Sequence, residues 1–143
     1  MRKLVLALMM AVVATLGLVV PGTAFAAVDL ETDYAKLGGA PPASAGCAEP
    51  EQKVQVCYDR DGDVWWVLDR AEDSASALVD WRNYRDDKIY RTGLCINSHG
   101  AGTWASCNKN YYEDSELKGH QGYWDRDKEK TWTFYPQDWR FQG

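Results

Sequence analysis

Histidine is nearly absent from this chain of 143 residues: His99 and His120 are the only two. Neither sits in a nucleophile motif, and the four cysteines, an even number, leave no free thiol once they pair. Carboxylates are plentiful, as in Glu113, Asp114 and Glu116, but among 21 acids such proximity does not identify a catalytic pair. Lysine and arginine never cluster, so the basic footprint that nucleic acid or an anionic membrane requires is missing. No cysteines stand two to four residues apart, the spacing of zinc-ligand pairs; nine residues separate Cys47 from Cys57 and eleven separate Cys95 from Cys107. These absences predict a protein that is not an enzyme, holds no metal or cofactor and does not bind nucleic acid.

Two partial patterns stop short of a site. Asp59, Asp61 and Asp63 alternate as in a calcium loop, yet the places for its glycine and its glutamate hold Val64 and Arg70. An Asp61-Gly62 type I′ turn between two strands explains the same residues without an ion. The glycine-rich stretch Asn97-Ser98-His99-Gly100-Ala101-Gly102 would have to open a helix to cradle a phosphate, and the Thr103-Trp104-Ala105 that follows reads as a strand.

The first segment has a clear signature. Arg2 and Lys3 precede an uncharged apolar run from Leu4 to Val20, then Pro21-Gly22 and the small-residue site Ala24-Phe25-Ala26. This predicts a secretory signal peptide over residues 1–26 and a secreted, extracellular product with no stable membrane insertion after cleavage. Arg2 and Lys3 are the only charges removed, so the net charge of −5 becomes −7. The remaining 117 residues suffice for one domain with its own core. In an oxidising compartment all four cysteines are expected in disulfides, with Cys47–Cys57 and Cys95–Cys107 favoured because each closes a short loop.

Residues 27–46, rich in glycine, proline and alanine towards their end, read as a flexible tether, which leaves 47–143 as the domain. Within it the period is two: Val54, Val56 and Tyr58; Trp65 and Val67; Ala77, Val79 and Trp81. Turn residues fall between these runs at Asp61-Gly62, at Asn83 with Asp86-Asp87, from Asn97 to Gly102 and at Lys128-Glu129. One helical turn is expected over Ser115–Lys118. The fold class predicted is all-β, a small disulfide-bonded antiparallel sandwich or barrel. Tyr58-Asp59-Arg60-Asp61 before Trp65 is echoed by Trp124-Asp125-Arg126-Asp127 before Trp132, which suggests two similar hairpins.

Aromatic residues are the surplus, with seven tryptophans, eight tyrosines and two phenylalanines after the leader. On a strand Trp65 and Trp66 face opposite ways, so one of them cannot enter the core. Exposed aromatics on a β scaffold suit sugar stacking or protein anchoring. Trp66, Trp104, His99, Tyr111 and Tyr112 are the candidate contact residues.

The segment from Ser74 to Trp81, with Tyr90-Arg91-Thr92-Gly93-Leu94-Cys95-Ile96-Asn97-Ser98-His99-Gly100-Ala101-Gly102-Thr103-Trp104 and Cys107-Asn108-Lys109, resembles small secreted actinomycete-type domains of uncharacterised function. The resemblance covers residues 55–118 and implies an exported β domain with Cys95 bridged to Cys107. Such domains often carry further cysteines near the C-terminus; this chain has none there, which favours Cys47 as the partner of Cys57. The Gly102-Thr103-Trp104 to Cys107-Asn108 segment is more distantly similar to secreted metallopeptidase inhibitors of the β/γ-crystallin type. The function expected is a non-enzymatic binding module for an extracellular protein or glycan, with a peptidase inhibitor and a cell-wall or glycan binder as alternatives.

Overall fold

The computed structural model describes residues 27–125, 127 and 130–142. The expected leader and the turn expected at Lys128-Glu129 lie outside the described residues. Ten strands form among them: β1 (Leu30–Tyr34), β2 (Lys36–Gly38), β3 (Gly46–Cys47), β4 (Val54–Asp59), β5 (Val64–Asp69), β6 (Ser76–Arg85), β7 (Lys88–Asn97), β8 (Trp104–Asn108), β9 (Glu116–Asp125) and β10 (Lys130–Gln142). They build two five-stranded sheets, in the orders β1-β7-β6-β9-β10 and β2-β8-β5-β4-β3. All neighbours are antiparallel except β1, which runs parallel to β7. The molecule is an all-β disulfide-bonded sandwich, as the period-two pattern predicts.

The alternating residues supply the core between the sheets. Val54, Val56, Tyr58, Trp65 and Val67 from the second sheet meet Ala77, Val79 and Trp81 from the first, all of them buried. Trp65 and Trp81 each remove about 200 Å² from water, a gross gain on the order of 5 kcal/mol apiece. Glycines make room for both rings. Trp81 lies in register with Gly93 on one side and Gly119 on the other. A Cβ at Gly93 would stand 2.5 Å from Trp81 Cζ2, and one at Gly119 would stand 2.9 Å from Trp65 Cζ3.

The first sheet is covered on its outer face as well. Leu78, Leu94 and Ile96 are buried there, with Trp124 and Phe134 packed against them. Six consecutive residues of β6, from Ser76 to Trp81, are therefore buried on both sides. Two disulfides complete the scaffold. Cys47–Cys57 links partners on β3 and β4 within one sheet, whereas Cys95–Cys107 joins β7 of the first sheet to β8 of the second.

Several local expectations change. The segment read as a tether contains β1, β2 and the start of β3, so the packed domain begins near Leu30 rather than Cys47. The reason is chemical: β1 turns Leu30 and Tyr34 outward, and its half-buried residues are Glu31 and Asp33. That inverts the usual apolar-in pattern. The helical turn expected at Ser115–Lys118 is instead extended: Glu116, Leu117 and Lys118 open β9, and the turn lies just before, at Glu113-Asp114. Asn83 is not in a turn but fully buried within β6. Between β4 and β5 four residues, 60–63, connect Asp59 to Val64, with positive φ at Gly62 and Asp63, so the connection is longer than a two-residue type I′ turn. That tighter geometry belongs to the β6–β7 hairpin, where Asp86 and Asp87 both have positive φ between the paired Arg85 and Lys88. The two echoed segments do fall at β4–β5 and β9–β10, but Tyr58 faces the inter-sheet core while Trp124 lies on the outer face of the other sheet.

Candidate interaction surface

The structure disperses the candidate residues that the sequence brought together. Trp66 and Trp104 lie on the outer face of the second sheet, both half-buried. β2 crosses Trp66, with Gly38 so close that a Cβ there would meet the ring at 3.5 Å, and the buried indole N–H has no partner among the described residues. Tyr111 is a core residue: its hydroxyl accepts a 3.0 Å hydrogen bond from Trp65 Nε1 and its ring meets the edge of Trp81. Burial drives its pKa well above the ordinary tyrosine value. His99 is exposed in the β7–β8 loop, where Nε2–H donates to the Ala35 carbonyl at 2.8 Å and so fastens the β1–β2 corner. Tyr112 alone of the five carries a large exposed aromatic surface.

Two of the three aspartate carboxylates are engaged by the fold. Asp63 accepts from the Tyr58 hydroxyl at 2.6 Å and from the Tyr111 amide at 2.9 Å, while Asp59 accepts from Ser44 and from the Asp61 amide. Among the described residues no three His, Cys, Asp or Glu side chains are grouped to hold a metal. His120 stacks on Phe134 and hydrogen-bonds the Tyr135 carbonyl. The depression it shares with Asp80, Arg82 and Lys118 has about 10 Å³, room for roughly one water. A wider groove of about 450 Å³ is lined by Asp69, Glu72, Asp73 and serines, and offers neither an aromatic nor a cationic side chain. Burial raises the pKa of Asp69 within it.

The exposed aromatic surface lies elsewhere, where the β6–β7 hairpin meets the loop after β8. Tyr90 and Tyr112 are 47% and 46% exposed, with ring centroids 5.5 Å apart in an edge-on arrangement. Arg85 lies over the Tyr112 ring at 4.1 Å and pairs with Asp114. Beside the paired rings runs a groove of about 240 Å³, lined by Tyr90, Arg91, Asn110, Tyr111 and Tyr112. Hydrogen bonding with Tyr112 raises the pKa of Tyr90 above its ordinary value.

A β-bulge aims Tyr90. The register passes from Asn83↔Arg91 to Tyr84↔Ile89, which leaves Tyr90 as the extra residue of β7. Strict alternation would put Tyr90 on the face opposite Arg91, but both line the groove. The other wall is pinned at both ends. The amides of Lys109 and Tyr111 donate to the Asp63 carbonyl and carboxylate. Further along, the Tyr112 carbonyl accepts from the amide and hydroxyl of Ser115, whose Oγ in turn accepts from buried Asn83 Nδ2 at 2.7 Å.

The floor is charged and locked. Arg91 grips Glu31 through two bonds of 2.7 and 2.9 Å and donates its third nitrogen to the Asn110 carbonyl at 2.7 Å. Lys109, whose side chain is 7% exposed, bridges Glu31 and Asp33. The Arg91 contact comes first among the causes holding the Glu31 carboxyl below its ordinary range, and Glu31 in turn raises Arg91. These cations are already spent on β1, so the groove presents aromatic surface rather than free positive charge. Sequence reasoning missed Tyr90, Arg85 and Arg91. The Asp86-Asp87 turn marked the hairpin, but neither the bulge nor the long-range partners of Arg91 leave a local signal. Comparison with family models, with curated proteins and with solved structures finds no match to this chain.

Proposed function

We propose that this protein is an exported, non-enzymatic module that binds another protein through the exposed Tyr90 and Tyr112. The observation that carries this reading is the preorganisation of the pair. Tyrosine with arginine is the composition of interface hot spots, and here both tyrosines sit on backbone held by a bulge and by buried hydrogen bonds. Little ordering remains to be paid on association. Export accords with the Arg2-Lys3 leader signature and with two disulfides in a chain without free cysteines.

The test is capture from the culture fluid of the producing organism on immobilised, oxidised residues 27–143. A specific partner retained by the wild type and by Trp66→Ala/Trp104→Ala, but lost with Tyr90→Ala or Tyr112→Ala, supports the reading. Each anchor truncation is expected to weaken binding about tenfold or more, corresponding to roughly 1.4 kcal/mol or above. Retention on insoluble peptidoglycan or chitin that depends on Trp66 and Trp104 would replace it with a glycan-binding function. Stoichiometric loss of a secreted protease's activity, unaffected by either tyrosine change, would replace it with inhibition through another surface.

A further inference from the structure

Along one side β7 is paired with β6 from Lys88 to Asn97, but along the other β1 covers only Thr92 to Ile96. Among the described residues no strand lies beside Lys88–Arg91 on that side. At about 3.3 Å per residue this is roughly 13 Å of open sheet edge, directly in line with β1 and flanked by the tyrosine groove. An open edge presents backbone N–H and C=O groups that a further strand can satisfy.

We infer that the partner docks as an extended peptide segment added antiparallel to the Lys88–Arg91 edge, dropping one apolar side chain into the groove beside the Tyr90–Tyr112 pair. The inference rests on the binding surface proposed above and specifies how it is used. The groove volume favours this occupant: about 240 Å³ lies below the roughly 300 Å³ at which small-molecule sites begin, yet holds a leucine or phenylalanine side chain. Charge disfavours a second copy of the chain. Antiparallel self-pairing about the centre of this edge would set Lys88 of each copy opposite Arg91 of the other, already held by Glu31, so neither Lys88 would gain an acidic partner. Lys88 is exposed and has no ion pair among the described residues. A carboxylate on the incoming segment would therefore complete it.

The experiment selects random linear peptides, about a dozen residues long, on the oxidised domain and then scans the best binder with backbone N-methyl groups. The expected result is loss of affinity with period two along the peptide, about tenfold at each sensitive position, because alternate amides face the edge. Slowed hydrogen exchange at Lys88–Arg91, weakened binding with Tyr112→Ala, and an acidic preference that Lys88→Glu abolishes complete the expectation. Binding that needs Tyr112 but tolerates N-methylation everywhere would overturn strand addition while leaving the surface intact. Peptides indifferent to both Tyr90→Ala and Tyr112→Ala would overturn the surface as well. Failure to enrich any peptide over an unrelated protein, or concentration-dependent dimerisation lost on Lys88→Pro, would also overturn the inference.

Discussion

Replacing Gly93 with alanine tests the packing that positions the whole surface. The new Cβ would lie 2.5 and 2.8 Å from Trp81 Cζ2 and Cε2 and 2.7 Å from the carbonyl oxygen of Glu31. Carbon contacts settle near 3.5–4.0 Å, so something must move by roughly 1 Å. Trp81 is fully buried with the Tyr111 ring against it and has little room to retreat. The backbone of β1 is the part free to yield. Overpacking of this kind costs about 1–3 kcal/mol, offset by about 0.4–1 kcal/mol because alanine restricts the unfolded chain. The net expectation is destabilisation by about 1–2 kcal/mol, or a fall in Tm of about 4–8 °C for a domain of this size. Urea unfolding followed by tryptophan fluorescence measures the loss. Hydrogen exchange at the Ala35 amide, which donates to the Ile96 carbonyl at 2.8 Å, reports whether β1 has shifted. Gly39 provides the control, since a Cβ there meets nothing within 4 Å and Gly39→Ala should be neutral or slightly stabilising. Equal midpoints for the two variants, with unchanged protection at Ala35, would refute the argument.

Acid should loosen β1. The folded-state pKa of Glu31 is depressed, so its contribution is present above the unfolded value of about 4.3 and lost as pH falls through the lower folded value; Glu31→Gln should remove that acid sensitivity from β1 amide exchange. The two disulfides should differ in worth although their sequence separations, 10 and 12, predict similar loop terms of about 3 kcal/mol. Cys95→Ala/Cys107→Ala should lower the urea midpoint more than Cys47→Ala/Cys57→Ala, because it also empties a buried contact between the sheets, and equal shifts would contradict this. Ser115→Ala removes the link from Asn83 to the Tyr112 carbonyl and should cost about 1–3 kcal/mol in urea. The same variant should bind selected peptides more weakly through a more mobile Tyr112.

The inter-sheet core was legible because its strands obey one rule: apolar residues at alternate positions point inward, as at Val54, Val56 and Tyr58. The division of Trp65 from Trp66 followed from the same rule. It failed wherever burial had another source. Leu78 alternates out of the main core yet is buried beneath Trp124 and Phe134, contributed by the distant β9 and β10. β1 escaped notice because what it offers the fold is two carboxylates, and their partners Arg91 and Lys109 lie 60 to 78 residues along the chain. Tyr111 and Tyr112 are adjacent and alike in sequence, but one is buried with its hydroxyl on Trp65 and the other lies at the surface beside Tyr90. Neither pattern nor propensity distinguishes them, since the decision belongs to a loop without a period.

The bulge at Tyr90 links the open edge to its aromatic anchor, and removing it separates the two. Continued backward in the parallel register of β1, Asp29 would face Arg91, Val28 would face Tyr90 and Ala27 would face Ile89, yet pairing stops at Leu30↔Thr92. Those three residues are exposed and outside any strand. An extra residue in β7 interrupts the even spacing of acceptors that a parallel neighbour requires, so the distortion that turns Tyr90 into the groove also ends β1. An antiparallel segment, whose bonds come in discrete pairs, does not need that even spacing. Deleting Tyr90 should restore regular pairing between β6 and β7 and let β1 extend through Val28 and Asp29. Slower amide exchange at residues 28–30, with a urea midpoint no lower than that of Tyr90→Ala, is the expected outcome, and peptide binding should disappear because the edge is then occupied. Exchange at residues 28–30 as fast as in the wild type would mean that β1 ends for some reason other than the bulge.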